Sequence, residues 1–191
     1  MENTRKNNPV YSRISRVGIK YAKIANLHCF LFKKNGVPLL CAGPNWSFVI
    51  GLNLFFIIIG LLFIFIICPR VSQIDVIIGI IAFTLLVVSY TMTALSNPGI
   101  CYNFSGDQDL GHHLSGERYC ELCEVVKKST TVHCDECGVC IEEYDHHCPW
   151  VSKCIGKNNK WFFYALLIGL LCVFVFIIAT LSFKSRTSSK D

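Results

Sequence analysis

The run CELCEVVKKSTTVHCDECGVCIEEYDHHCPWVSKC, residues 120–154, decides how this chain is read, because seven cysteines fall within thirty-five residues. Their spacing is Cys120-x2-Cys123-x9-His133-Cys134-x2-Cys137-x2-Cys140-x4-Asp145-His146-His147-Cys148-x5-Cys154. A Cys-x2-Cys step lets two sulfurs reach one ion through a tight turn, and interleaved His residues complete the donor set of tetrahedral zinc. A disulfide framework would need an oxidising compartment. The membrane orientation derived below puts this segment in the reducing cytosol, so zinc is the expectation.

Two closed zinc sites use eight ligands. Seven Cys and three His offer ten candidates, so two are left over. If Asp145 to Cys148 run extended, side chains alternate, with His146 and Cys148 on one face and His147 on the other. His147 can then face a metal while His146 and Cys148 face each other. A Cys outside the metal shell, beside a His and with a carboxylate adjacent, has the composition of an activated nucleophile. Alternation alone does not bring Asp145 to His146, and that contact requires a local turn.

The block from Cys120 to Phe163 resembles the cysteine-rich domain of DHHC-type protein S-acyltransferases (palmitoyltransferases). The resemblance rests on Asp-His-His-Cys-Pro-Trp at 145–150, on Cys154 and on Asn159-x3-Phe163. It implies two structural zinc ions held by interleaved sets, Cys120, Cys123, His133 and Cys140 on one and Cys134, Cys137, His147 and Cys154 on the other. His146 and Cys148 are then the two spare candidates. It implies Cys148 as the nucleophile that carries the acyl group, His146 as general base and Asp145 as the residue orienting His146. The co-substrate would be palmitoyl-CoA or another fatty acyl-CoA, and the acceptors substrate proteins with accessible cysteines.

Around this block the composition is that of a membrane protein. The chain has 191 residues, 52% of them hydrophobic, and its apolar residues come in blocks. Trp46–Cys68 has no charge, Ile74–Leu95 carries only Asp75 at its edge, and Trp161–Phe183 has none. Each meets the length of roughly 20 residues needed to cross the hydrocarbon core. None shows the polar stripe of a soluble core helix. Trp46–Cys68 starts too far in and runs too long for a signal peptide, and Asn53 within it is read as an interhelical hydrogen-bonding group.

Residues 1–45 hold eight Lys or Arg (Arg5, Lys6, Arg13, Arg16, Lys20, Lys23, Lys33, Lys34) against Glu2, whereas the connection 69–73 has only Arg70. The positive-inside rule puts this N-terminal segment in the cytosol. Two crossings later the cysteine block is cytosolic as well. Beside a span, the basic segment reads as a topology signal touching anionic lipid rather than a nucleic-acid surface. The expected fold is an α-helical polytopic membrane protein in which three predicted transmembrane helices accompany a cytosolic two-zinc cysteine-rich domain between the second and third. Residues 1–45 form the cytosolic N-terminal segment, 46–68 and 74–95 the first two spans, and 96–119 a cytosolic linker. Residues 120–160 form the zinc domain, 161–183 the third span and 184–191 the tail. Residence at the ER or Golgi is what the family implies.

Several residues take ordinary readings. Asn97-Pro98-Gly99 ends the second helix and opens the linker. His112 and His113 are loop residues, and Cys29, Cys41, Cys68, Cys101 and Cys172 are small apolar fillers. Lys153, Lys157 and Lys160 fit either attraction of CoA phosphates or positive-inside anchoring. Trp150, Trp161, Phe162 and Phe163 fit an interfacial aromatic belt. The segment from Cys120 to Asn159 is short and charged, so metal binding is expected to supply the stabilisation that a small apolar core cannot. Members of the resembled family usually have a fourth span and a Thr-Thr-x-Glu motif after the third, and this sequence stops at Asp191. From that comes the alternative expectation of a catalytically weak, truncated product acting as a membrane zinc-binding adaptor. A RING-like ubiquitin ligase would also interleave two zincs, but it has no use for the spare Cys148.

Overall fold

Ahead of the first apolar helix the chain folds into a small three-stranded sheet. The computed structural model describes residues 21–33, 36–68, 72–101 and 118–188. Arg5, Lys6, Arg13, Arg16, Lys20, Lys34, Arg70, His112, His113 and Lys190 lie outside the described residues. The chain divides into two compact units, one from residues 1–46 and 94–160, the other from 47–93 and 161–191.

The first unit is built from short antiparallel strands. β1 (Tyr21–Ile24), β2 (Leu27–Phe32) and β3 (Pro38–Ala42) form a meander. β1 and β2 meet in the register Ile24↔Leu27, so Ala25 and Asn26 alone make the turn, with Ala25 in the left-handed region (φ 48°). β4 (Ile100–Cys101), β7 (Val132–Cys134) and β8 (Val139–Ile141) form a sheet in the order β4-β8-β7. β5 (Arg118–Cys120) pairs with β6 (Val125–Lys127), and β9 (His146–Cys148) pairs with β10 (Lys153–Ile155). Two- and three-residue strands of this kind are not stable alone in water. Something besides the ladders must hold them.

Part of that something is an apolar core that the cysteine block does not contain by itself. Ile24, Leu27, Cys29 and Cys41 from the meander are buried with Ile100, Cys134, Cys137, Val139, Ile141 and Cys154. The block's own apolar material is small, and its core is completed by residues about a hundred positions earlier. Cys29 and Cys41 face each other across β2 and β3, with Sγ atoms 2.9 Å apart and no exposure. Asn97 makes the turn expected of it. Its Oδ1 accepts from the N–H groups of Gly99 (2.9 Å) and Ile100 (3.0 Å), while its Nδ2 donates to the Pro38 carbonyl at 2.7 Å.

The second unit is helical. α1 (Trp46–Leu62) runs on through a π-helical turn, Phe63–Ile67. α2 covers Gln73–Leu95 and α3 covers Lys160–Ser188. Three helices among the described residues are long and apolar enough to cross a membrane, over Trp46–Ile67, Gln73–Leu95 and Lys160–Phe183. Their outward faces are Ile, Leu, Phe and Val, as a lipid solvent requires. Small residues let the helices close up, with Gly60 against the Phe83 ring and Gly169 against the Leu86 backbone. Asn53 donates to Thr91 Oγ1 at 2.7 Å, which in turn donates to the Val87 carbonyl at 2.7 Å, so Asn53 is the interhelical group it was read to be.

Candidate functional site

Two strand pairs explain how adjacent residues serve different ends. In an antiparallel ladder, directly opposed residues share a face, and successive residues alternate. His133 lies opposite Cys140 in β7–β8, and His147 lies opposite Cys154 in β9–β10. Each cross-strand His–Cys pair meets one Cys-x2-Cys step. Cys120 and Cys123 join His133 and Cys140; Cys134 and Cys137 join His147 and Cys154. Within β7, His133 therefore turns to one cluster and Cys134 to the other, which is how the two sets interleave.

The clusters fit zinc by geometry and by donor chemistry. Within each, the four candidate ligand atoms lie within 4.8 Å of one another. His133 Nδ1 is 3.6, 3.3 and 3.8 Å from the sulfurs of Cys120, Cys123 and Cys140. His147 Nδ1 is 3.5, 3.5 and 3.7 Å from those of Cys134, Cys137 and Cys154. Tetrahedral zinc with its usual bond lengths sets a nitrogen-to-sulfur edge of about 3.6 Å. Disulfide bonding is not the alternative here, as all twelve cysteines are free.

The thiols resist ionising together. Burial pushes Cys123 and Cys134 up to about 11 and raises Cys140, while the hydrogen bond with Cys137 raises Cys154. Cys137, receiving that bond, falls to about 6. Three thiolates in one pocket require a compensating cation, and a divalent ion supplies it. Asp135, itself exposed, stands 3.8 Å from His133 Nε2, on the side of the ring away from the sulfurs. The Cys134–Cys137 step is closed by a hydrogen bond from Gly138 N to the Cys134 carbonyl at 2.7 Å, with Gly138 at φ 69°.

The hairpin β9–β10 leaves a second set on its other face. His146, Cys148, Lys153 and Ile155 share that face by register. Cys148 is buried, 5% exposed, and outside both clusters. His146 Nδ1 lies 3.5 Å from Asp145 Oδ1, both side chains being partly exposed. Glu143 adopts a left-handed φ of 46°, and Asp145 N donates to the Ile155 carbonyl at 3.0 Å, which starts the ladder.

The family model for DHHC palmitoyltransferases matches residues 113–190, which contain both clusters and this hairpin. Residues 113–190 carry the DHHC domain of that family. Palmitoyltransferase ZDHHC18-A of Danio rerio is 31% identical over 139 residues, covering 58% of this chain and 30% of the relative. Palmitoyltransferase ZDHHC18 of Homo sapiens is 29% identical over 173 residues, covering 75% and 44%. Palmitoyltransferase ZDHHC8 of Drosophila melanogaster is 34% identical over 106 residues, covering 48% and 11%. The chain thus spans less than half the length of these curated relatives.

One of the three lysines of this DHHC module does other work than expected. Lys157 pairs with Glu142 at 2.7 Å and Lys160 with Glu143 at 2.6 Å, both at the surface. Lys153 has no exposure at all; its Nζ donates to the carbonyls of Cys41 (2.6 Å) and Ser96 (2.5 Å). Burial pushes its ammonium down to about 8. A buried lysine cannot meet a CoA phosphate in solution or anchor to lipid headgroups. No local sequence signal distinguishes it from its exposed neighbours.

The meander is the other feature that sequence reasoning passed over. Asn26 donates from its backbone N–H to the Cys137 carbonyl (3.2 Å) and from Nδ2 to the Glu136 carbonyl (2.9 Å). The tip of the β1–β2 hairpin therefore caps the Cys134–Cys137 step. Trp150 and Trp161 are 65% and 72% exposed, as interfacial aromatics would be.

Proposed function

We propose that this chain transfers a long acyl group from acyl-CoA to cysteines of substrate proteins through a thioester on Cys148. The observation that supports it most is the β9–β10 register, which commits His147 to a metal cluster and leaves Cys148 on the face of His146. His146, with Nδ1 turned to Asp145, takes the Cys148 proton through Nε2. The sulfur attacks the thioester carbonyl, the bond from carbon to the CoA sulfur breaks, and the leaving thiolate receives that proton. In the second half-reaction a substrate thiol gives its proton to His146 and attacks the acyl-enzyme carbonyl, the bond from carbon to the Cys148 sulfur breaks, and the expelled Cys148 thiolate takes that proton back. Asp145 holds the imidazole tautomer and offsets its charge when protonated. One thioester replaces another, so no further energy source is required.

Zinc, when bound, supplies folding rather than chemistry. Cys120, Cys123, His133 and Cys140 would hold one ion and Cys134, Cys137, His147 and Cys154 the other, each a closed shell with no open position for water or substrate. The acyl chain is matched to a membrane enzyme. Each buried CH₂ is worth about 0.8 kcal/mol, so a long chain gains on the order of 10 kcal/mol from an apolar surrounding. The N-terminal segment and the zinc module belong on the cytosolic side, where reduced thiols and acyl-CoA are found, with ER or Golgi membranes as the residence.

The test is incubation of the purified, zinc-loaded chain with palmitoyl-CoA, followed by mass spectrometry of the peptide carrying Cys148. A hydroxylamine-sensitive palmitoyl mass on Cys148 is expected, with Cys148→Ser losing it and keeping two zinc ions per chain. A folded chain with two zincs and no thioester would instead favour a zinc-binding adaptor in the membrane.

A further inference from the structure

Lysine is almost never fully buried unless it is paired, and Lys153 is buried beside the residue that matters most. It sits directly opposite Cys148 in the ladder, so the two side chains leave the hairpin on one face. Its ammonium is tied by charge-assisted bonds to two carbonyls from distant parts of the chain, Cys41 on β3 at 2.6 Å and Ser96 after α2 at 2.5 Å. A methionine would fill similar space with no charge to desolvate. What the lysine adds is therefore direction, since it fixes this strand to two points at once.

The neighbouring residue is gripped from the same segment. Ser152 closes the loop between β9 and β10 in the left-handed region, with φ 58°. Its Oγ accepts from the Asn45 N–H at 2.7 Å. Gly43 is packed so closely on it that a Cβ there would overlap the Ser152 carbonyl. Residues 41–45 thus hold both 152 and 153, the corner from which the strand opposite Cys148 departs. A reacting atom displaced by about 1 Å loses on the order of 100-fold in rate, so a hairpin of two three-residue strands needs such an anchor.

We propose that Lys153, assisted by Ser152, is a positioning residue for acyl transfer, anchoring the Cys148 hairpin to the Cys41–Asn45 segment so that the sulfur is held for attack. This rests on the reading of Cys148 as the nucleophile. The experiment uses the full chain in detergent or nanodiscs, as wild type, Lys153→Met and Ser152→Ala, with palmitoyl-CoA as the probe. Zinc per chain, the maximal rate of thioester formation and the half-saturating palmitoyl-CoA concentration are measured together. Lys153→Met is expected to keep two zincs and an unchanged half-saturation while its maximal rate falls roughly 10- to 100-fold. Ser152→Ala, which removes one bond and no charge, is expected to fall in the same sense by roughly 3- to 10-fold. Either variant acylating at the wild-type rate overturns the proposal. So does Lys153→Met that misfolds, loses zinc or shifts half-saturation in step with the rate, because the lysine would then be structural. A wild-type chain that forms no thioester on Cys148 defeats the acyl-transfer reading itself, which keeps the two failures apart.

Discussion

His146 and His147 are identical side chains one peptide apart, and the pleat of β9 sends them to different faces. His147 shares its face with Cys154 and lies 3.5 Å from the sulfurs of Cys134 and Cys137. His147→Ala should therefore lose one zinc and become protease-sensitive. His146→Ala should keep two zincs and form thioester roughly 100- to 10,000-fold more slowly, the usual contribution of a general base. Metal analysis beside single-turnover acylation separates the two, and equal zinc loss would end this division of labour. Gly138 makes a second residue-scale case. It holds φ 69°, and a Cβ there would stand 2.8 Å from the Ala25 Cβ. Gly138→Ala should cost about 1–2 kcal/mol for the left-handed backbone alone, read as a lower thermal midpoint and faster zinc loss to a chelator than wild type.

At the scale of elements, the β1–β3 meander behaves as part of the zinc module. Leu27 is fully buried in the cluster that contains Cys134, Cys137 and Cys154. Leu27→Ala should destabilise by about 2–5 kcal/mol and speed the removal of zinc by chelators, whereas Phe30→Ala, 36% exposed, should stay within about 0.5 kcal/mol. Equal effects of the two would mean that the meander does not share the metal-bearing core. This contrast also marks what could be read from sequence. That the block would bind metal was legible because each Cys-x2-Cys step is a local signal, and the alternation in 145–148 needs only a strand, whereas the division of the ligands into two sets came from the family resemblance. The spans were legible because uninterrupted apolarity over some 20 residues has few other uses. The meander was not legible, since strands of four to six residues find their apolar partners about a hundred positions later. Lys153 was misread for the same reason. Charge suggests exposure until the two carbonyls that receive it are known.

For the whole molecule, three apolar helices and one skewed distribution of charge set the expected topology. Eight Lys or Arg precede the first apolar helix, and one Arg lies between the first and second. Retention of positive loops on the cytosolic side then places the zinc module, two crossings later, in the cytosol, and residues after the third crossing in the lumen. That placement agrees with the cysteine chemistry, because free thiols and thiolate metal ligands persist in a reducing compartment. The chain carries its own reporter in the triplet Asn103-Phe104-Ser105, which fits the N-glycosylation acceptor pattern and lies in the linker before the zinc block. In cells or microsomes Asn103 should stay unmodified, while an acceptor triplet on a polar spacer appended after Asp191 should gain a glycan removable by endoglycosidase. A glycan at Asn103 with none on the appended acceptor would invert the topology, moving the cysteines into an oxidising lumen and removing the basis for cytosolic acyl transfer. An unmodified appended acceptor alongside an unmodified Asn103 would show that Lys160–Phe183, long and apolar enough to span, does not cross.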